Sequence, residues 1–145
     1  MATDDTVKQE ILKANKHFYD ALARADLAAM EALWHHDQAI ECVHPGWDRL
    51  RGWPAVQDSW ARMFEHQGAM QIQASDQLVH WRGDIAWVTC YENLTIQDGP
   101  HVHVSQMMAT NVFERFDGHW KMVIHHASPA PNEPVRPRNR KIFLN

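Results

Sequence analysis

The sequence predicts an α+β domain. Three observations carry that expectation. Apolar residues recur at helical spacing through the N-terminal part of the chain, the period changes to alternation from residue 69 onward, and turn pairs divide the alternating half into long strands. The first helix is read from Val7, Ile11, Ala14, Phe18, Leu22 and Ala25, which share one face. Asp4 or Asp5 is placed to cap it, because a carboxylate accepts the orphan N–H groups of a first turn. The pattern restarts at Asp26, a cap for a shorter helix with Leu27, Met30, Leu33 and Trp34 on its apolar face. Residues 39–44 read as a short strand stopped by Pro45-Gly46. Gly52-Trp53-Pro54 then opens a third helix, since proline tolerates the first helical position; Val56, Trp60, Met63 and Phe64 form its stripe and Gly68 ends it.

The second half is strand after strand. Met70, Ile72 and Ala74 alternate with polar neighbours, a further piece covers 78–81, and Arg82-Gly83-Asp84 supplies a turn. A long strand over 85–96 closes at Gln97-Asp98-Gly99-Pro100, another spans 101–116, and Asp117-Gly118 makes a hairpin with a last strand over 120–127. Four of the seven prolines lie between Pro129 and Pro137, among Arg136, Arg138, Arg140 and Lys141. The expected organisation is therefore one domain over 1–128 and an extended Pro/Arg-rich tail over 129–145.

Composition narrows the function classes. A chain of 145 residues with 45% hydrophobic and 22% charged residues suits one core. A net charge of −4 argues against a nucleic-acid partner, and no apolar run reaches membrane-spanning length. No signal peptide is visible at the N-terminus, and two cysteines form no disulfide framework, so a cytoplasmic protein is expected. Phosphate loops, dinucleotide fingerprints and nucleophile elbows are absent, and no cofactor is expected. Seven Trp and eleven His beside only two Tyr point to a bulky core, a lined cavity or an interface.

The order helix, short helix, strand, helix and long antiparallel strands is shared by few folds. With the stretches Ala21-Leu22-Ala23-Arg24-Ala25-Asp26-Leu27-Ala28-Ala29-Met30, Cys42-Val43-His44-Pro45-Gly46, Arg51-Gly52 and residues 110–120, the chain resembles the nuclear-transport-factor-2-like superfamily, and within it the SnoaL-like and ketosteroid-isomerase-like proteins, over about residues 5–128. The resemblance implies a cone-shaped curved antiparallel sheet on three N-terminal helices, an apolar pocket at the open end, and a homodimer through the outer sheet face. In ketosteroid isomerases a Tyr of the first helix, an Asp near the end of the first strand and an Asp of the penultimate strand act. Those places match Phe18 (with Tyr19 as the neighbouring alternative), Cys42 or His44, and approximately Val112. Neither carboxylate is present, so the resemblance implies the fold and not that reaction.

Several residues are candidates for chemistry. His44 ends the first strand, where relatives place their base, and a neutral imidazole accepts a proton at working pH; the bland alternative is a strand cap on the Pro45-Gly46 turn. His125 and His126 point to opposite faces of the last strand, and comparison with the family puts His125 inward with Val123 and Ala127 unless a bulge intervenes. Glu92 alternates with Ala86, Val88, Cys90, Leu94 and Ile96; if that face lines the pocket, the carboxyl is desolvated and suited to acid–base work, and if Trp87, Thr89, Tyr91 and Asn93 line it instead, Glu92 belongs to a dimer contact. Phe18, Trp34, Cys42, Trp47, Trp87 and Tyr91 are the expected pocket residues, and a Cys42–His44 nucleophile is an outlying option. His101 and His103 share a strand face about 6–7 Å apart.

Three functions compete. The first is proton-transfer chemistry of isomerase, cyclase or dehydratase type on a small apolar molecule, centred on His44 with His125 and Glu92. The second is a non-catalytic ligand-binding or dimeric interaction module. The third is a metal-dependent enzyme with His44, His103 and His125 as ligands.

Overall fold

The computed structural model describes residues 3–131. The elements follow the two periods of the sequence: α1 (Asp4–Arg24), α2 (Leu27–Leu33), β1 (Glu41–Val43), β2 (Leu50–Arg51), α3 (Trp53–His66), β3 (Met70–Arg82), β4 (Ile85–Asp98), β5 (His101–Phe116) and β6 (His119–Pro129). The strands form a six-stranded sheet in the order β2-β1-β6-β5-β4-β3. Its long members are antiparallel neighbours, whereas β1 joins β6 in parallel, with Cys42 opposite His125. The helices cover part of one face of this curved sheet, and α1 lies against β3, β4 and β6.

Local chemistry sets the boundaries. Thr3, rather than Asp4 or Asp5, caps α1, its hydroxyl accepting from the Thr6 amide at 3.1 Å. A carboxylate at the first helical position serves the dipole, while the residue just before the helix holds the cap geometry. Asp26 caps α2 by accepting from the Ala29 amide. Between the two helices Ala25 takes the left-handed region at φ 51°, and the Asp26 amide closes back on the Ala21 carbonyl. The third helix stops at His66, before Gly68: the Gln67 backbone is extended, and its side chain donates to the Leu22 carbonyl of α1 at 2.7 Å. The last strand extends to Pro129, and the rest of the expected tail, from residue 132, lies outside the described residues.

Two irregularities shape the sheet. What the sequence divides into two pieces over 70–81 is one strand, β3, with a register shift between Ser75 and Leu78 and Asp76 at φ 51°. A second bulge falls where Val112 faces Ile124 but Phe113 faces Met122, leaving Val123 unpaired. Side chains alternate with period two, so this extra residue changes which face the following positions serve. Trp120 and Met122 point inward before it, and His125 and Ala127 point inward after it. The inward partner of His125 is thus Met122 and not Val123.

The core is the helical stripe of α1 pressed on the inner sheet face. Ile11, Phe18, Met30, Val56, Trp60, Val88, Ala109, Phe113 and Met122 are buried. Replacing Ala25 by glycine should raise stability by about 1 kcal/mol, because the left-handed backbone costs a β-carbon-bearing residue more than glycine. The shift of the urea midpoint checks it.

Candidate functional site

Among the buried positions of the long strands, the inner sheet face is apolar except at three, Glu92 of β4, Asn111 of β5 and His125 of β6. Two polar residues one turn apart on α1, Asn15 and Tyr19, meet them. The Tyr19 hydroxyl donates to Oε2 of Glu92 at 2.7 Å and lies 3.4 Å from Sγ of Cys90. Nδ2 of Asn111 donates to Oδ1 of Asn15 at 2.8 Å and to the Tyr19 oxygen at 3.0 Å. Both amide protons are then spent, so Oδ1 of Asn111 accepts from the Nδ1–H of His125, at 2.6 Å. Asn15 continues the chain to Oε1 of Gln77 at 2.9 Å.

His44 sits beside this network, its ring centroid 6.4 Å from that of His125. The Ser59 hydroxyl has one proton and gives it to the Val56 carbonyl at 2.7 Å. It therefore accepts from His44 Nε2–H at 2.9 Å, which leaves Nδ1 as the basic nitrogen of His44. The indoles of Trp47 and Trp60 stand edge-on to the imidazole at 4.9 and 4.7 Å.

His44, Glu92 and His125 share the wall of a cavity of about 870 Å³. Leu22, Trp60, Met63, Met70, Ile72, Leu94, Ile96 and Met107 supply its apolar lining, and Arg62, His66, Asp98, His103 and Ser105 its polar part. Glu92 and His125 are each only 3% exposed. Oε1 of Glu92 and Nε2 of His125 hold no hydrogen bond among the described residues and are not sealed from solvent, so both are open to this space.

Burial sets the charge states. It raises the Glu92 carboxyl to about 7, with the Tyr19 hydrogen bond pulling the other way. It lowers His44 to about 4. It holds His125 well below the usual histidine range, helped by His44 and His126 nearby. The Tyr19 hydroxyl is pushed well up by burial and then by Glu92.

The expected pocket residues divide. Trp47 lines the cavity and is 39% exposed. Phe18, Trp34 and Cys42 are instead packed behind its wall: Phe18 against His125 and Trp60, Trp34 against Trp53 and Trp60, and Cys42 beneath the His44 ring. Trp87 and Tyr91 stand on the opposite face of β4, because Ala86, Val88, Cys90 and Glu92 take the inner one. Trp87 there stacks near His80 and Arg82. Burial, then Glu92, drives the Cys42 thiol well above its usual range, which removes the thiolate a Cys42–His44 nucleophile requires. His103 reaches the cavity wall, yet no three histidine, cysteine or acidic side chains among the described residues are grouped to hold a metal, so the set His44, His103 and His125 does not converge.

Asn15, Ser59 and Asn111 escape a reading that searches for histidines and carboxylates. Each carries a visible signal, a polar residue on an otherwise apolar face: Asn15 between Ile11 and Phe18, Ser59 between Val56 and Trp60, Asn111 between Ala109 and Phe113. The matched catalytic places, Phe18 and Val112, each miss the polar network by one position, and its members are Tyr19 and Asn111.

The Glu92 carboxyl has a testable signature. Its folded pKa lies above its unfolded value, so the folded state holds the proton more tightly. Its contribution to stability is present below the unfolded pKa of about 4.3 and is lost as pH rises to about 7. Denaturation of wild type and Glu92→Gln across that window should show the wild type losing on the order of 3 kcal/mol relative to the variant.

The SnoaL-like domain family matches residues 11–133. A candidate dehydratase of the NTF2-like family from Streptomyces avermitilis is 35% identical, with a TM-score of 0.81, over 88% of this chain and 99% of that one. A candidate calcium/calmodulin-dependent protein kinase type II association domain from Thiobacillus denitrificans is 34% identical, with a TM-score of 0.69, over 81% of this chain and 92% of that one. F-box protein SKIP8 of Arabidopsis thaliana is 30% identical over 118 residues, which are 81% of this chain but 48% of that protein, so the chain spans about half its length. The architecture, the match over most of the chain and these likenesses agree: the chain belongs to the SnoaL-like domain family of the nuclear-transport-factor-2-like superfamily.

Proposed function

We propose that the protein catalyses proton transfer on a small apolar molecule, and that within this class it removes water from its substrate. The observation that carries the reading is a buried carboxyl titrating near 7 that shares an apolar cavity with two neutral imidazoles. Such a pair of separated acid and base needs no metal ligand set and no nucleophile. The likeness to the Streptomyces avermitilis candidate dehydratase supports elimination over the isomerisation and cyclisation that the same groups also permit.

In this reading Nδ1 of His44 removes a proton from carbon. The electrons of that C–H bond form the new C=C bond, the C–O bond breaks, and Glu92 gives its proton to the departing hydroxyl, which leaves as water. A proton passing from His44 to Glu92 through solvent resets the pair. A bound substrate that displaces water from the indole and thioether part of the wall strengthens each of these interactions.

The productive form has His44 neutral and Glu92 protonated. A substrate found by thermal-shift screening of small apolar alcohols should show kcat/KM rising through about pH 4 and falling through about pH 7. His44→Ala and Glu92→Gln should each lower kcat by about 10²–10⁴-fold, and the glutamine variant should also lose the upper limb of the profile. Unchanged turnover in either variant overturns the assignment.

The outer sheet face supports a second property, self-association. Leu78, Val102, Val104 and Phe116 are exposed there, around the half-buried Trp87, Tyr91 and Val112. Apolar area of this kind on an uncovered sheet marks an interface, and a homodimer through it leaves the cavity on the far side free. The likeness to association domains favours the same conclusion. Sedimentation equilibrium should give a dimer that Val104→Glu converts to monomer while ligand binding persists.

A further inference from the structure

The hydrogen bonds behind the cavity wall fix which nitrogen of His125 carries the proton. Asn111 has two N–H groups, one on Asn15 and one on Tyr19, so only its oxygen faces His125. The imidazole must donate through Nδ1, and its Nε2 is a lone pair with no protein donor among the described residues. Nε2 opens onto the cavity and takes no hydrogen bond from the described residues, and covering such an acceptor with a ligand that brings no donor is costly. A ligand that displaces solvent from this point is favoured when it supplies the donor itself.

We propose that His125 is the recognition element for a ligand hydroxyl, and that Asn111 is the positioning residue that makes it an acceptor. The inference rests on the elimination reading of the same site and names what that reading leaves open: the ligand is an apolar molecule bearing a hydroxyl, and its O–H donates to Nε2 of His125. Glu92 is held to the same network through Tyr19 and opens on the same cavity, so in this proposal the oxygen that His125 recognises is the one that takes the Glu92 proton. A fluorine, ether oxygen or carbonyl at that point sets two acceptors against each other and is rejected. Asn111 touches no ligand in this arrangement. It acts by holding the imidazole in one tautomer.

Two measurements test this without turnover. In protein labelled with ¹⁵N at histidine, the His125 ring should show Nδ1 protonated and Nε2 bare at neutral pH. Calorimetry should then show 2-naphthol binding about 10-fold more tightly than 2-fluoronaphthalene, which has the same ring but no donor. Asn111→Leu should yield a tautomer mixture and reduce the preference to about 2-fold; should that variant not fold, the wild-type tautomer and probe ratio decide alone. A ring protonated at Nε2, equal affinities, or binding of neither probe overturns the proposal. Loss of the elimination reading would look different: turnover insensitive to His44→Ala beside an intact preference for the naphthol.

Discussion

A strand cannot keep Met122 and His125 on one face without inserting a residue between their registers. Period-two alternation forbids it, and the unpaired Val123 is the insertion that permits it. Much of the site hangs on this single irregularity. With regular pairing through that point, Ile124 and His126 would turn inward, the Asn111 oxygen would lose the Nδ1–H of His125, and the polar chain through Tyr19 to Glu92 would end on an apolar side chain. The parallel pairing of β1 with β6 depends on the same stretch, since Cys42 lies opposite His125 and His44 follows two residues on.

Inside that frame, desolvation outweighs hydrogen bonding. Glu92 accepts a short hydrogen bond from Tyr19, which by itself favours the carboxylate, yet burial still carries the group up to about 7. Both imidazoles are shifted the opposite way by the same cause. One low-dielectric environment thus holds an acid and two bases uncharged together, a condition that water would not support.

The fold was legible wherever structure follows from local period and turn chemistry. The stripe of α1, the Asp26 cap, Pro54 opening α3, the boundaries of β5 and the Asp117-Gly118 hairpin all depend on neighbours a few residues away. The two-residue strand β2 and both bulges were not legible, because each is defined by the register of a partner strand distant in sequence. The site divides in the same manner. Glu92 stands out as a charge among apolar alternates, but whether its face or that of Trp87 and Tyr91 meets the helices is settled only by packing. Tyr19 was obscured by Phe18 for a similar reason: α1 is embedded deeply enough to bury two adjacent positions, and a one-face reading of a helix admits only one of them.

The pairing of Cys42 with His125 also bears on how the molecule is made. These positions are more than eighty residues apart and join in parallel, so the contact closes a loop spanning most of the domain. Hairpins β3–β4, β4–β5 and β5–β6 close over short turns and lose little chain entropy. Within the sheet, β1 carries the long-range pairing, and the contacts of α1 with the long strands, such as Asn15 with Asn111, are of similar span. During synthesis β1 and its neighbour β2 emerge long before β6, the last of the described strands. The cavity needs both β1 and β6, so its wall can be completed only after nearly the whole described chain has been made.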